Sequence, residues 1–241
     1  MIAYDDSGYA ARRPIRPDQW TDVAGDMPPG LVVATGSMPP GFLLVQNYLP
    51  ASACDQIVAE CERRPGVKQG VAAGEADTSS VMRSSMRMSE AVDPGEMQGD
   101  LYGLARQAFR QTLAGHYGVQ FDWFERPEIL RYDAGGEYKP HADAENWFAA
   151  EKAWKRVLDR DFSILLYLNE GFAGGEIAFP NFGLKLSPRK GLLIAFPSDA
   201  RYLHAALPVT AGRRYALVSW AAVKGSPRAL PAPPADAERI G

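Results

Sequence analysis

The sequence predicts a mainly β fold, a double sheet or barrel with helices packed on one outer face. Three observations carry that expectation. After Pro127 the chain breaks into short apolar runs at 128–133, 138–143, 163–169, 176–179, 184–187, 192–197, 202–207 and 214–222, separated by Gly, Pro and Asn. Closely spaced strands with turn residues between them are the pattern of sandwiches and barrels. Two helix-like stretches precede these runs, and a sheet buries its outer face under such helices. Finally, 241 residues with 46% hydrophobic and 23% charged content supply one large core.

In chain order, residues 1–40 carry Pro14, Pro17, Pro28, Pro29, Pro39 and Pro40 and read as an irregular arm, with one candidate strand at Leu31-Val32-Val33-Ala34. The main domain is expected over 41–224. Phe42-Leu43-Leu44-Val45 opens it as a strand. Ser52, with Asp55 three residues on, reads as the N-cap of a helix to about Arg64, stopped by Pro65-Gly66. A second helix runs from about Glu96 to Tyr117, where Leu101, Leu104, Ala105, Ala108, Thr112 and Leu113 share one side and Gly118 is the stop. Residues 145–160 interrupt the strands with a polar, helix-like piece, and 225–241 form a Pro/Ala-rich tail, mobile or laid along the surface.

Composition excludes several partners. Lys plus Arg number 26 against 29 Asp plus Glu, a net charge of −3, which gives no footprint for nucleic acid or an anionic membrane. No apolar run approaches the ~20 residues of a membrane span, and Met1-Ile2-Ala3-Tyr4-Asp5-Asp6 lacks the basic-then-apolar order of a secretion signal. A soluble, cytoplasmic protein is expected, of unspecified oligomeric state. Cys54 and Cys61 sit seven apart on one helix, about 10 Å, too far for a disulfide, and read as small buried hydrophobes.

Chemistry concentrates in the strand-rich half, which holds two of the three histidines. His141-Ala142-Asp143 places an imidazole and a carboxylate on one face of a strand. His204, on another predicted strand, can add a third donor. Two His and one carboxylate on one face of an octahedron leave three positions open, which suits non-haem Fe(II) binding a co-substrate and O₂. Ten residues beyond His204 stands Arg214. A 2-oxo dicarboxylate chelating the metal would need a planar cation for its far carboxylate. Alternation alone does not choose between Arg213 and Arg214.

These pieces resemble the Fe(II)- and 2-oxoglutarate-dependent dioxygenases, specifically their prolyl 4-hydroxylase-like branch. The resemblance spans about 41–222 and is dense from Leu130 to Trp220. It rests on Leu130-Arg131-Tyr132, on Gly136-Glu137-Tyr138-Lys139-Pro140-His141-Ala142-Asp143, on Arg160 through Asn169 and on Gly174-Gly175-Glu176-Ile177-Ala178-Phe179-Pro180. Pro188-Arg189-Lys190-Gly191 with Ala195-Phe196, and His204 through Arg214, complete the order.

The resemblance implies a double-stranded β-helix (a cupin-like jelly roll) supported by the N-terminal helices, with Fe(II) at His141, Asp143 and His204. It selects Arg214 for the base of the 2-oxoglutarate pocket and gives Tyr132 a role in holding that co-substrate. It further implies hydroxylation of an unactivated C–H bond of an amino-acid-like small molecule or a prolyl peptide, with release of succinate and CO₂. Halogenating relatives lack the carboxylate, so Asp143 favours hydroxylation. Ile177 stands where many prolyl hydroxylases carry Thr, removing a hydroxyl near the distal carboxylate.

Tyr138, Glu145, Trp147 and Arg160 are candidate substrate residues, because loops beside a rigid barrel mouth set specificity. Ion pairing, core packing and anchoring of a surface segment are their alternative roles. Residues 67–90 form another expected mouth segment without an assigned role, Asp133 reads as a turn residue, and His116 as a helix-end cation. Two competing functions remain open at this point, a non-catalytic jelly roll binding a dicarboxylate or protein partner and a Zn-dependent hydrolase.

Overall fold

Strands, two long helical segments and three short 3-10 turns are the regular elements of the described residues, 38–68 and 87–240 of a computed structural model. The candidate strand at 31–34 and most of the 67–90 mouth segment lie outside the described residues. The first half comprises β1 (Leu43–Val45), α1 (Ala51–Glu62), β2 (Gly66–Lys68), β3 (Glu90–Val92), α2 (Gln98–Gln107) with its continuation to Tyr117, and β4 (Phe121–Phe124). The barrel then follows as β5 (Glu128–Tyr132), β6 (Tyr138–His141), β7 (Glu145–Phe148), β8 (Ala153–Arg156) and β9 (Phe162–Tyr167). It continues through β10 (Ala173–Gly174), β11 (Ile177–Phe179), β12 (Leu184–Leu186) and β13 (Leu193–Pro197). The last strands are β14 (His204–Ala206), β15 (Val209–Ala211), β16 (Arg214–Val223) and β17 (Glu238–Arg239).

The larger sheet runs β1-β13-β9-β16-β5-β3-β2, with β4 also on β16 and β17 on β4. The smaller sheet runs β12-β11-β14-β6 and faces it. Every pairing is antiparallel, and the two sheets make the expected jelly roll. Alternation sorts each central strand between two cores. On β9, Phe162, Ile164 and Leu166 join the helix-side core, whereas Tyr167 and partly buried Leu165 turn between the sheets. On β16, Tyr215, Leu217 and Ala221 face the helices, and Ala216 faces inward.

The helices close the outer face. Cys54, Ile57 and Cys61 lie along one side of α1, and Leu101, Ala105, Phe109 and Leu113 continue that packing. Both cysteines are free and buried, as their apolar reading requires. Phe109 is fully buried against Phe121 and Phe124, so truncating it to Ala is worth about 3–5 kcal/mol of stability.

Three local expectations need correction. Ser52 is not the N-cap of α1: Pro50 holds that position, and its carbonyl accepts from the amides of Ala53 and Cys54. The second helix is not uniform, because Ala108–Leu113 forms a π-helical segment between α2 and the final α-turn Ala114–Tyr117. That widened turn accompanies burial of both Ala108 and Phe109, neighbours that a regular helix would set about 100° apart. Gly118 ends the helix in the left-handed region, at φ 65°.

The third correction is larger. Residues 145–160 do not form a helix-like piece; β7 and β8 make a hairpin in which Trp147 lies opposite Trp154, ring centroids 5.8 Å apart. Facing aromatics across an antiparallel pair outweigh the weak helical pattern of the intervening polar residues.

The Pro/Ala-rich tail lies along the surface. Asp159 accepts from the amides of Ala229 and Leu230, β17 pairs with β4, and Ile240 packs on the helix-side core.

Candidate active site

The site lies between the sheets, at the end where β6 and β14 pair. His204 is registered directly opposite His141, which sets their rings 4.3 Å apart at the centroids. β6 ends at His141, so Asp143 projects from the turn just beyond the strand. The turn still returns its carboxylate to the imidazoles: Oδ1 is 3.6 Å from His141 Nε2, and Oδ2 is 3.7 Å from His204 Nε2. Donor atoms from all three residues fall within 4.8 Å of one another.

Backbone carbonyls set both tautomers. His141 Nδ1 lies 2.7 Å from the Lys139 carbonyl and His204 Nδ1 lies 3.0 Å from that of Tyr202. A carbonyl only accepts, so each Nδ1 carries the proton and each Nε2 lone pair faces the cluster. Burial, then His204, push the His141 pKa down to about 3, keeping that ring neutral and able to coordinate. Burial acts to raise Asp143, yet the two imidazoles and a 2.6 Å hydrogen bond from Ser163 Oγ hold it below the usual carboxylate range. A carboxylate and two neutral imidazoles fit a divalent metal ion, and the Ser163 bond orients the carboxylate.

Arg214 lies deeper, only 3% exposed, at the start of β16 and opposite Tyr132 on β5. Its Cζ sits 3.8 Å from the Tyr132 ring centroid, and Nη1 donates to the Gly175 carbonyl at 2.7 Å. Gly175 adopts φ 69°, and a Cβ there would press to 3.3 Å from Arg214 Cδ, so glycine is needed at this turn. Nε of Arg214 has no hydrogen-bond partner, and neither does the buried hydroxyl of Tyr167. Burial raises the Tyr167 pKa against the pull of Arg214. Among the described residues no carboxylate pairs with Arg214. A buried guanidinium left unpaired costs several kcal/mol, and a dicarboxylate's far end removes that cost. Arg213, by contrast, turns outward to Asp133 and Glu62.

One cavity joins these groups. Its walls include Leu130, Ile177, Phe196 and Val218 beside the metal-ligating set, Arg214 and Tyr167. Residues 127–222 match the family model described as 2OG-Fe(II) oxygenase superfamily. The barrel segment is thus similar to the 2OG-Fe(II) oxygenases.

Relatives similar over much of the chain are prolyl 4-hydroxylases. The chain is 24% identical over 206 residues to probable prolyl 4-hydroxylase 6 of Arabidopsis thaliana, covering 75% of this chain and 68% of that relative. It is 28% identical over 120 residues to a putative prolyl 4-hydroxylase of Acanthamoeba polyphaga mimivirus, covering 46% and 50%. Among solved structures, a viral collagen prolyl hydroxylase from Paramecium Bursaria Chlorella virus-1 aligns at a TM-score of 0.55 and 23% identity, covering 76% of this chain and 96% of that one. A Pseudomonas putida prolyl-4-hydroxylase aligns at 0.55 and 24%, covering 77% and 94%. The 2OG-Fe(II) oxygenase family uses Fe(II) and 2-oxoglutarate, so the similarity favours an oxygenase over the non-catalytic and Zn-hydrolase expectations.

The candidate substrate residues divide. Tyr138 stacks on His141 at 3.5 Å, lines the cavity, and is pushed up to about 12 by burial. Arg160 lines an outer cavity on the same side, where its guanidinium is bound to Glu125 at 2.5 Å and lies over Trp220. Glu145 and Trp147 line neither cavity. Glu145 accepts from the Ala200 amide, and Trp147 packs on its hairpin partner. Sequence reasoning missed Ser163, Tyr167 and Arg87; the first two are polar side chains on a strand buried on both faces, a signal available in 162–167.

Proposed function

We propose that this chain hydroxylates an unactivated C–H bond of an amino-acid-like small molecule or a prolyl peptide, consuming 2-oxoglutarate and O₂ and releasing succinate and CO₂. The observation that carries the reading is the pairing of a His141–Asp143–His204 cluster with a buried guanidinium whose Nε is unsatisfied. Bound Fe(II) would supply redox chemistry that no side chain offers.

The chain's own residues do the positioning. His141, His204 and Asp143 would hold the metal, with Ser163 keeping the carboxylate aimed. Arg214 binds the far carboxylate of 2-oxoglutarate, the Tyr167 hydroxyl donates to it, and Tyr132 supports the guanidinium from its ring face. The Tyr167 hydroxyl thereby supplies the donor that Ile177 lacks. The apolar walls keep water from the reacting atoms. Tyr138 and Arg160 border the path by which substrate enters. A related prolyl hydroxylase from Trichoplax adhaerens was solved with a hypoxia inducible factor peptide, which supports the peptide option.

The test is succinate release by the Fe(II)-loaded protein over a panel of free amino acids and proline-rich peptides. A substrate that raises succinate above the substrate-free rate and gains one oxygen supports the proposal. No 2-oxoglutarate consumption under any condition overturns it.

A further inference from the structure

The outer cavity beside the metal cluster, about 230 Å³ in volume, contains more charge than it neutralises. Six charged side chains outside the cluster line it: Arg87, Glu125, Arg126, Glu128, Arg160 and Asp236. Glu125 and Arg160 neutralise each other, and Arg126 donates to the Gln98 side chain. Among the described residues Arg87, Glu128 and Asp236 make no ion pair.

Arg87 is 9% exposed; its Nε is used by Ser89 Oγ at 2.9 Å, its Cζ lies 4.9 Å from the Tyr138 ring centroid, and its buried Nη2 has no partner. It lines both this cavity and the metal cavity, so it stands at their junction. Glu128 lines only the outer cavity, and its side chain makes no hydrogen bond or ion pair among the described residues. Burial raises its pKa while Arg87 and Arg160 pull it down. Asp236, carried in by the tail, adds a second acid on the outer side. Arg87, a buried cation without an ion pair, is thus nearest the metal, and the unpaired acids Glu128 and Asp236 line the outer cavity but not the metal cavity.

We infer that this cavity recognises a zwitterionic amino acid, its carboxylate on Arg87 and its ammonium on Glu128, with Asp236 reinforcing the negative side. The inference rests on the oxygenase reading above and narrows its substrate class. An internal residue of a peptide brings neither free charge, and would leave a buried guanidinium nitrogen and a partly buried carboxylate without ionic partners. The volume also suits one residue, being below the ~300–1,000 Å³ typical of larger ligand pockets.

The experiment uses the full chain with Fe(II) and 2-oxoglutarate. Each of the common amino acids is tested free, N-acetylated and as its carboxamide, alongside proline-rich peptides. Anaerobic calorimetry gives binding, and aerobic succinate release gives turnover. At least one free amino acid is expected to bind and to stimulate succinate, and blocking either end should weaken it roughly tenfold or more, as loss of a charged hydrogen bond does. Arg87→Gln should weaken the free acid but not its carboxamide, and Glu128→Gln should weaken the free amine but not its N-acetyl form. The inference is overturned if peptides alone stimulate, if no free amino acid binds, or if blocked and free forms bind alike. The blocked ligands decide the matter even if a variant fails to fold. Loss of the Fe(II)–2-oxoglutarate visible band and of substrate-free 2-oxoglutarate turnover would mark failure of the underlying oxygenase reading instead.

Discussion

Replacing Arg214 by Ala separates what this residue does for the ligand from what it does for the fold. In the protein its Nη1 is held by the Gly175 carbonyl, while its buried Nε has no partner. Two charge-assisted hydrogen bonds to 2-oxoglutarate, at about 1.5–3 kcal/mol each, set the scale of the loss. Removing one partner of a buried ion pair costs about 3–5 kcal/mol, which falls within that sum. At 1.4 kcal/mol per decade the co-substrate should bind roughly 10²–10⁴-fold more weakly. Stability should behave differently. The unpaired guanidinium costs the ligand-free fold, and its ring contact with Tyr132 returns only about 1–2 kcal/mol. The unfolding midpoint of ligand-free Arg214→Ala should therefore hold or rise. Anaerobic equilibrium dialysis with labelled 2-oxoglutarate measures the first quantity, and urea unfolding the second. Binding within about threefold of the native protein would rule out this role for Arg214, since a single lost charged hydrogen bond already exceeds that.

Three other perturbations follow from the same geometry. Tyr167→Phe should raise the 2-oxoglutarate requirement about tenfold, the worth of one hydrogen bond to a carboxylate, with no loss of stability because its hydroxyl has no partner in the fold. Ser163→Ala should weaken metal binding about 10–100-fold, measured by competition with a chromophoric chelator, since it frees the Asp143 carboxylate to rotate. His141 titrates near 3 in the fold and near ~6.5 when unfolded, so the unfolded chain binds the extra proton between those values. The metal-free protein should lose stability as pH falls through that window, by up to about 4–5 kcal/mol, and His141→Gln should flatten the slope in urea unfolding at stepped pH.

Much of the barrel was legible because its strands carry turn residues at their ends. All eight strand ranges expected after Pro127 overlap observed strands. The metal-binding candidates were legible because histidine is scarce here and two of three fall on adjacent strands. Local alternation could not separate Arg213 from Arg214. The sheet does, because Arg214 shares a face with Ala216 and Val218, which line the cavity, while Arg213 reaches exposed acids. The 145–160 hairpin was not legible, since its stability lies in the Trp147–Trp154 contact across strands rather than in any periodic pattern. Arg87 escaped for a related reason: its value lies in being left unpaired at the junction of two cavities, a property of the fold and not of its neighbours in sequence.

The most direct test of the metal and co-substrate assignment is an anaerobic titration of the metal-free protein with Fe(II) in saturating 2-oxoglutarate. A weak visible charge-transfer band should grow to a one-to-one end point, and Asp143→Ala should lose it while keeping the native circular dichroism. A native protein that binds Fe(II) without that band, or an Asp143→Ala variant that retains it, would contradict the account.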